Sequence, residues 1–193
     1  MKKLDAFAAL NAVLFVSLCV FRYHARFVAY RGAGHLEEFL VYSAAILAGI
    51  VALWWRFRDW EFDGALLALL QVGILMHFGG AFIHIDGARL YDAHLFGIRY
   101  DKFVHVVNAF AVAALVSRVF GIQQIAPTPL NALILIMVVL GLGAVVEIVE
   151  YVVVLTIPEN GVGEYDNNMQ DLIANLCGSL IFAVARAAGG GRR

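Results

Sequence analysis

Three sets of polar residues recur at helical spacing inside apolar sequence, and their types are those that hold cations or move protons. Asp101, His105 and Asn108 stand at i, i+4, i+7; Glu147, Glu150 and Tyr151 at i, i+3, i+4; Asn168, Asp171, Asn175 and Gly178 at i, i+3, i+7, i+10. Each set shares one face of a helix. In hydrocarbon a lone polar face has no water to satisfy it, so the three faces are expected to meet. Imidazole nitrogen combined with several carboxylate oxygens suits a divalent cation. The expected ligands are Asp101, His105, Glu150 and Asp171, in a set better matched to zinc, manganese or iron than to sodium or potassium.

The same groups suit acid–base work on a lipid-borne substrate. Glu147 is then the candidate base, and His84 the second candidate catalytic group, with His94 an alternative for orienting the others. They also suit a proton or cation path, or a hydrogen-bonded network that only sets helix register. The wider polar site takes in His77, Asp86, His94, Lys102, Asn108, Tyr151, Asp166 and Asn175. For His77, alone on an apolar face, a single hydrogen-bond partner is the simplest expectation. Glu147 is the deepest carboxylate. With its helix running to Ile157 it lies about 15 Å from that end at 1.5 Å per residue, where it must be protonated, paired or wet. Lys102, Arg99 and His105 are the expected partners. Around them, residues 76–108 carry four of the six histidines together with Asp86, Asp92 and Asp101. Ionisable groups between membrane-length apolar runs are expensive, and so point to function.

The elements that must position these residues follow from composition. Of 193 residues, 62% are hydrophobic and 15% charged, with a mean hydropathy of +0.81. A soluble domain is about half apolar and a quarter charged. The expectation is one all-α integral membrane domain, a polytopic bundle of about six spans over residues 4–21, 35–55, 64–85, 101–120, 130–157 and 167–187. A formal charge of -1 offers nothing to nucleic acid. Cys19 and Cys177 sit in apolar runs and read as small buried hydrophobes.

Met1-Lys2-Lys3 before an apolar run resembles a signal sequence, but the run is too long and lacks a small-x-small site, so it reads as a retained first span. Arg22, His24, Arg26 and Arg31 read as a basic loop closing at Gly32. Glu37 and Glu38 fit a helix first turn, and Trp54 and Trp55 an interfacial belt. His77 and His84 are seven apart on the third span. Residues 86–100 are too polar to span and read as an ordered or re-entrant loop. Pro129 opens the fifth span and Pro158 stops it. No long internal repeat is evident. Six spans put Lys2, Lys3, Arg56, Arg58, Arg118, Arg186, Arg192 and Arg193 on one side, against Arg22, Arg26, Arg31, Arg89, Arg99 and Lys102 on the other. The positive-inside rule places both termini in the cytoplasm.

Met76-His77-Phe78-Gly79-Gly80, then Arg99-Tyr100-Asp101-Lys102-Phe103-Val104-His105, Glu147-Ile148-Val149-Glu150, and Tyr165-Asp166 through Asp171 resemble the YjdF-like small bacterial inner-membrane proteins. More distantly, the Asp-Lys-x-x-His and Asp-x-x-x-Asn-x-x-Gly pieces look like the VanZ-like proteins linked to glycopeptide resistance. The resemblance covers roughly residues 77–178. It implies a multi-span fold in the bacterial cytoplasmic membrane with a shared polar site, and it implies little chemistry. Lys102 stands where the family commonly has Arg, and Asn168 where it has Trp. The leading expectation is a metal-assisted membrane enzyme acting on an envelope lipid or lipid-linked group. The alternative is a non-catalytic proton- or cation-coupled transporter or binding protein. No nucleophile, phosphate-loop, dinucleotide or zinc-protease motif is present.

Overall fold

The protein is represented by a computed structural model that describes residues 2–156 and 165–190. Among these, six helical stretches are long and apolar enough to cross a bilayer: Lys3–Ala29, Ala33–Phe57, Gly64–Phe82, Tyr100–Ile122, Pro129–Val152 and Tyr165–Gly189. The all-α, multi-span architecture is therefore as the composition requires. The expected stop at Pro158 and most of the acidic loop after it lie outside the described residues. The described chain falls into two compact units, residues 2–67 and residues 68–156 with 165–190.

In the first unit, helix α1 (Lys3–Leu18) continues through a π-helical turn (Cys19–Tyr23) into α2 (His24–Arg31). The basic stretch expected as a loop is thus helical. No glycine or proline interrupts residues 19–31, so the helix runs on until Gly32 adopts φ +87°. Arg31 Nη2 donates to Glu38 Oε2 (2.9 Å) and His35 Nδ1 lies 2.7 Å from Glu38 Oε1, tying the turn to the start of α3 (Leu36–Phe57). Trp54 Nε1 donates to Asp5 Oδ1 at 2.9 Å, and the Arg58 guanidinium lies 3.9 Å over the Trp55 ring. Trp54 thus keeps its polar edge on a partner, and Trp55 offers its ring face to a cation.

The second unit holds the polar sets. Helix α4 (Gly64–Phe82) ends three residues earlier than expected, and the chain then makes two miniature hairpins, β1–β2 (His84–Ile85 with Ala88–Arg89) and β3–β4 (His94–Leu95 with Ile98–Arg99). His84 therefore leaves the helical face expected to carry it with His77. The physical cause is the Asp86-Gly87 pair, with φ of 53° and 82°, repeated as Phe96-Gly97 with φ of 54° and 79°. Positive φ at both central residues is what a two-residue type I′ hairpin turn requires.

The hairpins expose a short tandem repeat, His84-x-x-Gly87-x-Arg89 followed by His94-x-x-Gly97-x-Arg99, and then Tyr91-Asp92 against Tyr100-Asp101. The backbone repeats with it. Leu90 N–H donates to Ile83 O and Tyr100 N–H to Ala93 O, each at 2.8 Å. After the first hairpin the chain makes only a 3₁₀ turn (Leu90–Asp92); after the second it becomes α5 (Tyr100–Ile122).

Helix α5 packs against α6 (Pro129–Thr156) and α7 (Tyr165–Gly190). The seam is made of small residues, as helix association in lipid favours. Ala109 and Ala113 meet Leu135 and Val139, and Phe110 meets Phe182 edge-to-face at 5.5 Å. A Cβ at Gly178 would overlap the Val106 carbonyl and come within 2.9 Å of Ala109 Cβ. Large side chains such as Leu133, Val145, Ile148 and Val184 are exposed on the outer faces, where the surrounding medium is hydrocarbon. Cys177 is among the exposed residues, so its expected burial does not occur, while Cys19 is half-buried with Sγ 3.7 Å from Ser43 Oγ.

Candidate functional site

Helices α5, α6 and α7, with the hairpin segment, line a cavity of about 410 Å³. Asp101, His105 and Asn108 enter from α5, Glu150 from α6, and Asn167, Asp171 and Asn175 from α7. Arg89, Tyr91 and Arg99 come from the hairpin segment and His77 from α4. The rest of the lining is Val104, Ala109, Val112, Val139, Leu142, Gly143 and Val146. The polar residues cluster towards the N-terminus of α5 and the apolar ones lie deeper. From Asp101 to Val112 the cavity follows α5 for about 16 Å, at 1.5 Å per residue. The lining thus has a polar end and an apolar end.

Asp171 is the hub, with 2% of its surface exposed. Its Oδ1 accepts from Lys102 Nζ at 2.7 Å and lies 3.3 Å from His105 Nε2; its Oδ2 accepts from Asn167 Nδ2 at 2.8 Å. Lys102, itself buried, also reaches Asp101 Oδ2 (3.3 Å) and Asn167 Oδ1 (2.9 Å). Arg99 continues the chain of charge to Asp101 (3.3 Å), Asp92 (3.2 Å) and Asn167 (2.8 Å). Lys102 and Arg99 therefore pair with aspartates, and neither makes a hydrogen bond or ion pair with Glu147.

Glu147 is 6% exposed, and neither carboxylate oxygen has a hydrogen-bond partner among the described residues. The partner expected for it from another helix is missing because Asp171, Asp101 and Asp92 engage the nearby cations first. One oxygen of Glu147, one imidazole nitrogen of His105 and one oxygen of Asp171 all lie within 4.8 Å of one another. A His/Glu/Asp group within metal-binding distance is thus present. Asn175 orients the imidazole: its Oδ1 is 3.3 Å from His105 Nδ1. If Nδ1–H donates there, Nε2 faces Asp171 with either a proton or a bare lone pair. The lone-pair form needs either a proton on the Asp171 carboxyl or a cation between the two atoms. Two ligand atoms on one tetrahedral zinc, at about 2.0–2.1 Å each, sit roughly 3.3 Å apart. The observed His105–Asp171 separation matches that edge.

The remaining sequence candidates divide by place. Asn108 lines the cavity and occupies the space where a Gly73 side chain would be. His77 lines it too, hydrogen-bonded through Nδ1 to the Tyr91 hydroxyl. Asp101 and Glu150, expected as ligands, line the cavity but stand outside the three-residue group. Tyr151, one turn on from Glu147 on the same side of α6, is nonetheless 57% exposed. Asp166 is exposed in the first turn of α7. Asp86 and His94 are exposed on the hairpins, and His84 Nδ1 lies 3.2 Å from the Phe82 carbonyl.

Sequence spacing missed the rim. Arg89, Tyr91 and Asp92 belong to no helical triplet; only the tandem repeat could have marked them, Arg89 ten residues before Arg99 and Tyr91-Asp92 nine before Tyr100-Asp101. Asn167, four residues before Asp171, was readable by the same helical spacing that found Asn175.

The sequence profile described as "Predicted membrane protein (DUF2238)" matches residues 7–189. The chain belongs to this family. The DUF2238 match spans both compact units and every cavity-lining residue. No curated protein and no solved structure matches this DUF2238 chain.

Proposed function

We propose that this protein is a metal-assisted membrane enzyme whose substrate is an amphiphile, an envelope lipid or a lipid-linked group. The observation that carries the reading is Glu147, a buried carboxylate without a hydrogen-bond partner among the described residues, beside a His105–Asp171 pair at ligand-edge distance. Burying a bare carboxylate is costly, and a proton or a cation must neutralise it. His105, Glu147 and Asp171 are the assigned ligands, with Asn175 holding the imidazole tautomer in the way outer partners usually do at metal sites. Glu147 thereby moves from the base expected by spacing to a ligand. Glu150, on the cavity wall, takes the role of base. A bound divalent cation would polarise a phosphoryl or acyl oxygen and lower the pKa of a coordinated water towards about 7.

Charge supports a divalent ion. Asp101, Glu150 and Asp171 line the cavity with Arg89 and Arg99, while Asp92 pairs with the arginines, Lys102 pairs with Asp171, and Glu147 lies beside Asp171. With all five carboxyl groups ionised against the three cations, an excess of two negative charges remains, which one divalent ion would cancel. Basic-residue counts support a cytoplasmic-membrane orientation with both termini inside and the cavity mouth outside. The YjdF-like and VanZ-like resemblances belong to this proposal and support a bacterial envelope setting.

The test is elemental analysis of protein purified in mild detergent without chelator, with His105→Ala and Glu147→Gln run alongside after folding is verified. About one zinc, manganese or iron per chain, lost in both variants, is expected. A metal-free wild type ends the reading. One observation favours a second reading: Lys102 Nζ already sits 2.7 Å from Asp171, so the Lys102–Asp171–His105 chain could pass protons in a coupled transporter. In that case Glu147→Gln abolishes uptake in proteoliposomes while no stoichiometric metal is found.

A further inference from the structure

The cavity rim is a tandem-repeat product. Arg89 and Arg99 occupy equivalent repeat positions, both line the cavity, and both donate to the one carboxylate of Asp92. Arg89 meets it as a fork, Nε to Oδ2 at 2.9 Å and Nη2 to Oδ1 at 3.4 Å, while Arg99 Nη2 reaches Oδ1 at 3.2 Å. Arg89 Nη1 has no partner among the described residues. We propose that Arg89 and Arg99 form the headgroup clamp of the cavity, that they recognise a phosphate group on an amphiphile, and that Asp92 holds the clamp's place until that group displaces it. This names the substrate class for the enzyme reading above and rests on it.

The chemistry of the rim favours phosphate over the alternatives. Paired guanidinium forks match oxyanions bidentately, which a lone ammonium cannot do. A carboxylate offers two oxygens, both used here. A phosphate adds a third for Arg89 Nη1. Asp92 is displaceable: its side chain is 38% exposed, on the 3₁₀ turn Leu90–Asp92 between the hairpins, and ion pairs that open to solvent hold weakly. Asp101 and Asp171, by contrast, are buried and stay with Lys102. A quaternary ammonium headgroup would meet two guanidiniums at the mouth and find the aspartates already paired. Below the clamp, Val104, Val112, Val139, Leu142 and Val146 offer an acyl chain an apolar wall.

The test uses the full chain purified in dodecyl maltoside and follows thermal unfolding against dodecyl phosphate, dodecyltrimethylammonium and inorganic phosphate. Dodecyl phosphate should stabilise the wild type saturably. Arg89→Gln should weaken that binding tenfold or more, with Arg89→Lys recovering only part. Asp92→Asn, which removes the competing carboxylate, should tighten binding severalfold, a gain that misfolding cannot imitate. A stabilising response to the ammonium amphiphile equal to that for dodecyl phosphate would overturn the proposal. So would unchanged binding in both Arg89→Gln and Asp92→Asn. Inorganic phosphate binding as tightly as dodecyl phosphate would place the ligand in solution and overturn the amphiphile assignment. Metal analysis of the same preparations separates the two proposals. Metal without a phosphate response sinks the clamp and leaves the metal reading; a phosphate response in metal-free protein does the reverse; neither signal sinks both.

Discussion

His105 Nε2 and Asp171 Oδ1 stand 3.3 Å apart across the α5–α7 seam, and Glu147 of α6 completes the group without a hydrogen-bond partner among the described residues. An unpaired buried carboxylate destabilises the bundle unless something neutralises it, so Glu147→Gln should act in opposite directions in two states. In chelator-treated protein the variant should melt at a higher temperature than wild type. In metal-loaded protein it should melt lower. Thermal unfolding of the four samples checks this, and the same direction in both states refutes a cation at Glu147.

Asn175 acts through His105 rather than on a ligand of its own. Asn175→Ala should leave the three ligands in place and weaken metal affinity about 10–100-fold, the usual effect of losing an orienting partner. Competition with a chromophoric chelator measures it. Unchanged affinity would remove Asn175 from the site.

Lys102 is 8% exposed and neutralises both Asp101 and Asp171. Removing one member of a buried charge network strands the others, at a cost of about 3–5 kcal/mol. Lys102→Met should therefore lower thermal stability severely in detergent, and Lys102→Arg, which keeps the charge, should restore most of it. A mild effect for Lys102→Met would show that water reaches the pair.

Gly178 and Gly141 test the seam against the lipid face. A Cβ at Gly178 meets the Val106 carbonyl, whereas at Gly141 it meets nothing within 4 Å. Gly178→Ala should cost about 1–3 kcal/mol by overpacking. Gly141→Ala should be neutral or gain up to about 1 kcal/mol from helix propensity. Equal effects at both sites would contradict the packing.

Phe96 is fully exposed with φ 54° at a hairpin turn where Asp86 stands in the first repeat. Side chains with a Cβ pay about 1–2 kcal/mol in this region, and Asn or Asp pay least. Phe96→Asn should raise thermal stability slightly while Gly97→Ala lowers it. A loss with Phe96→Asn would show that the ring is seated in something, lipid being the first candidate.

The proposed orientation rests on the basic-residue count. Reporter fusions after residues 62 and 125 should behave as cytoplasmic and one after 94 as periplasmic. The reverse pattern inverts the cavity mouth with the rest of the chain.

The sequence by itself determined the class of protein and the faces. Apolar runs of bilayer length admit only helices, since hydrocarbon offers backbone groups no other partners, and period-3.6 spacing brought Asp101, His105, Asp171 and Asn175 to inward faces before any coordinates. Three things needed the tertiary structure. Which oxygen lacks a partner depends on who reaches the cations first, and Lys102 could have gone to Glu147 as readily as to Asp171; only the packed register of α5 against α7 decides. Whether Tyr151 faces in or out turns on about 100° of rotation from Glu150, which spacing alone leaves free. The rim depends on positive φ at Asp86-Gly87 and Phe96-Gly97, which folds two short segments into hairpins and brings Arg89, Arg99 and Asp92 together. No helical period could have found them, because strand and turn geometry, and not a helix face, sets where those side chains meet.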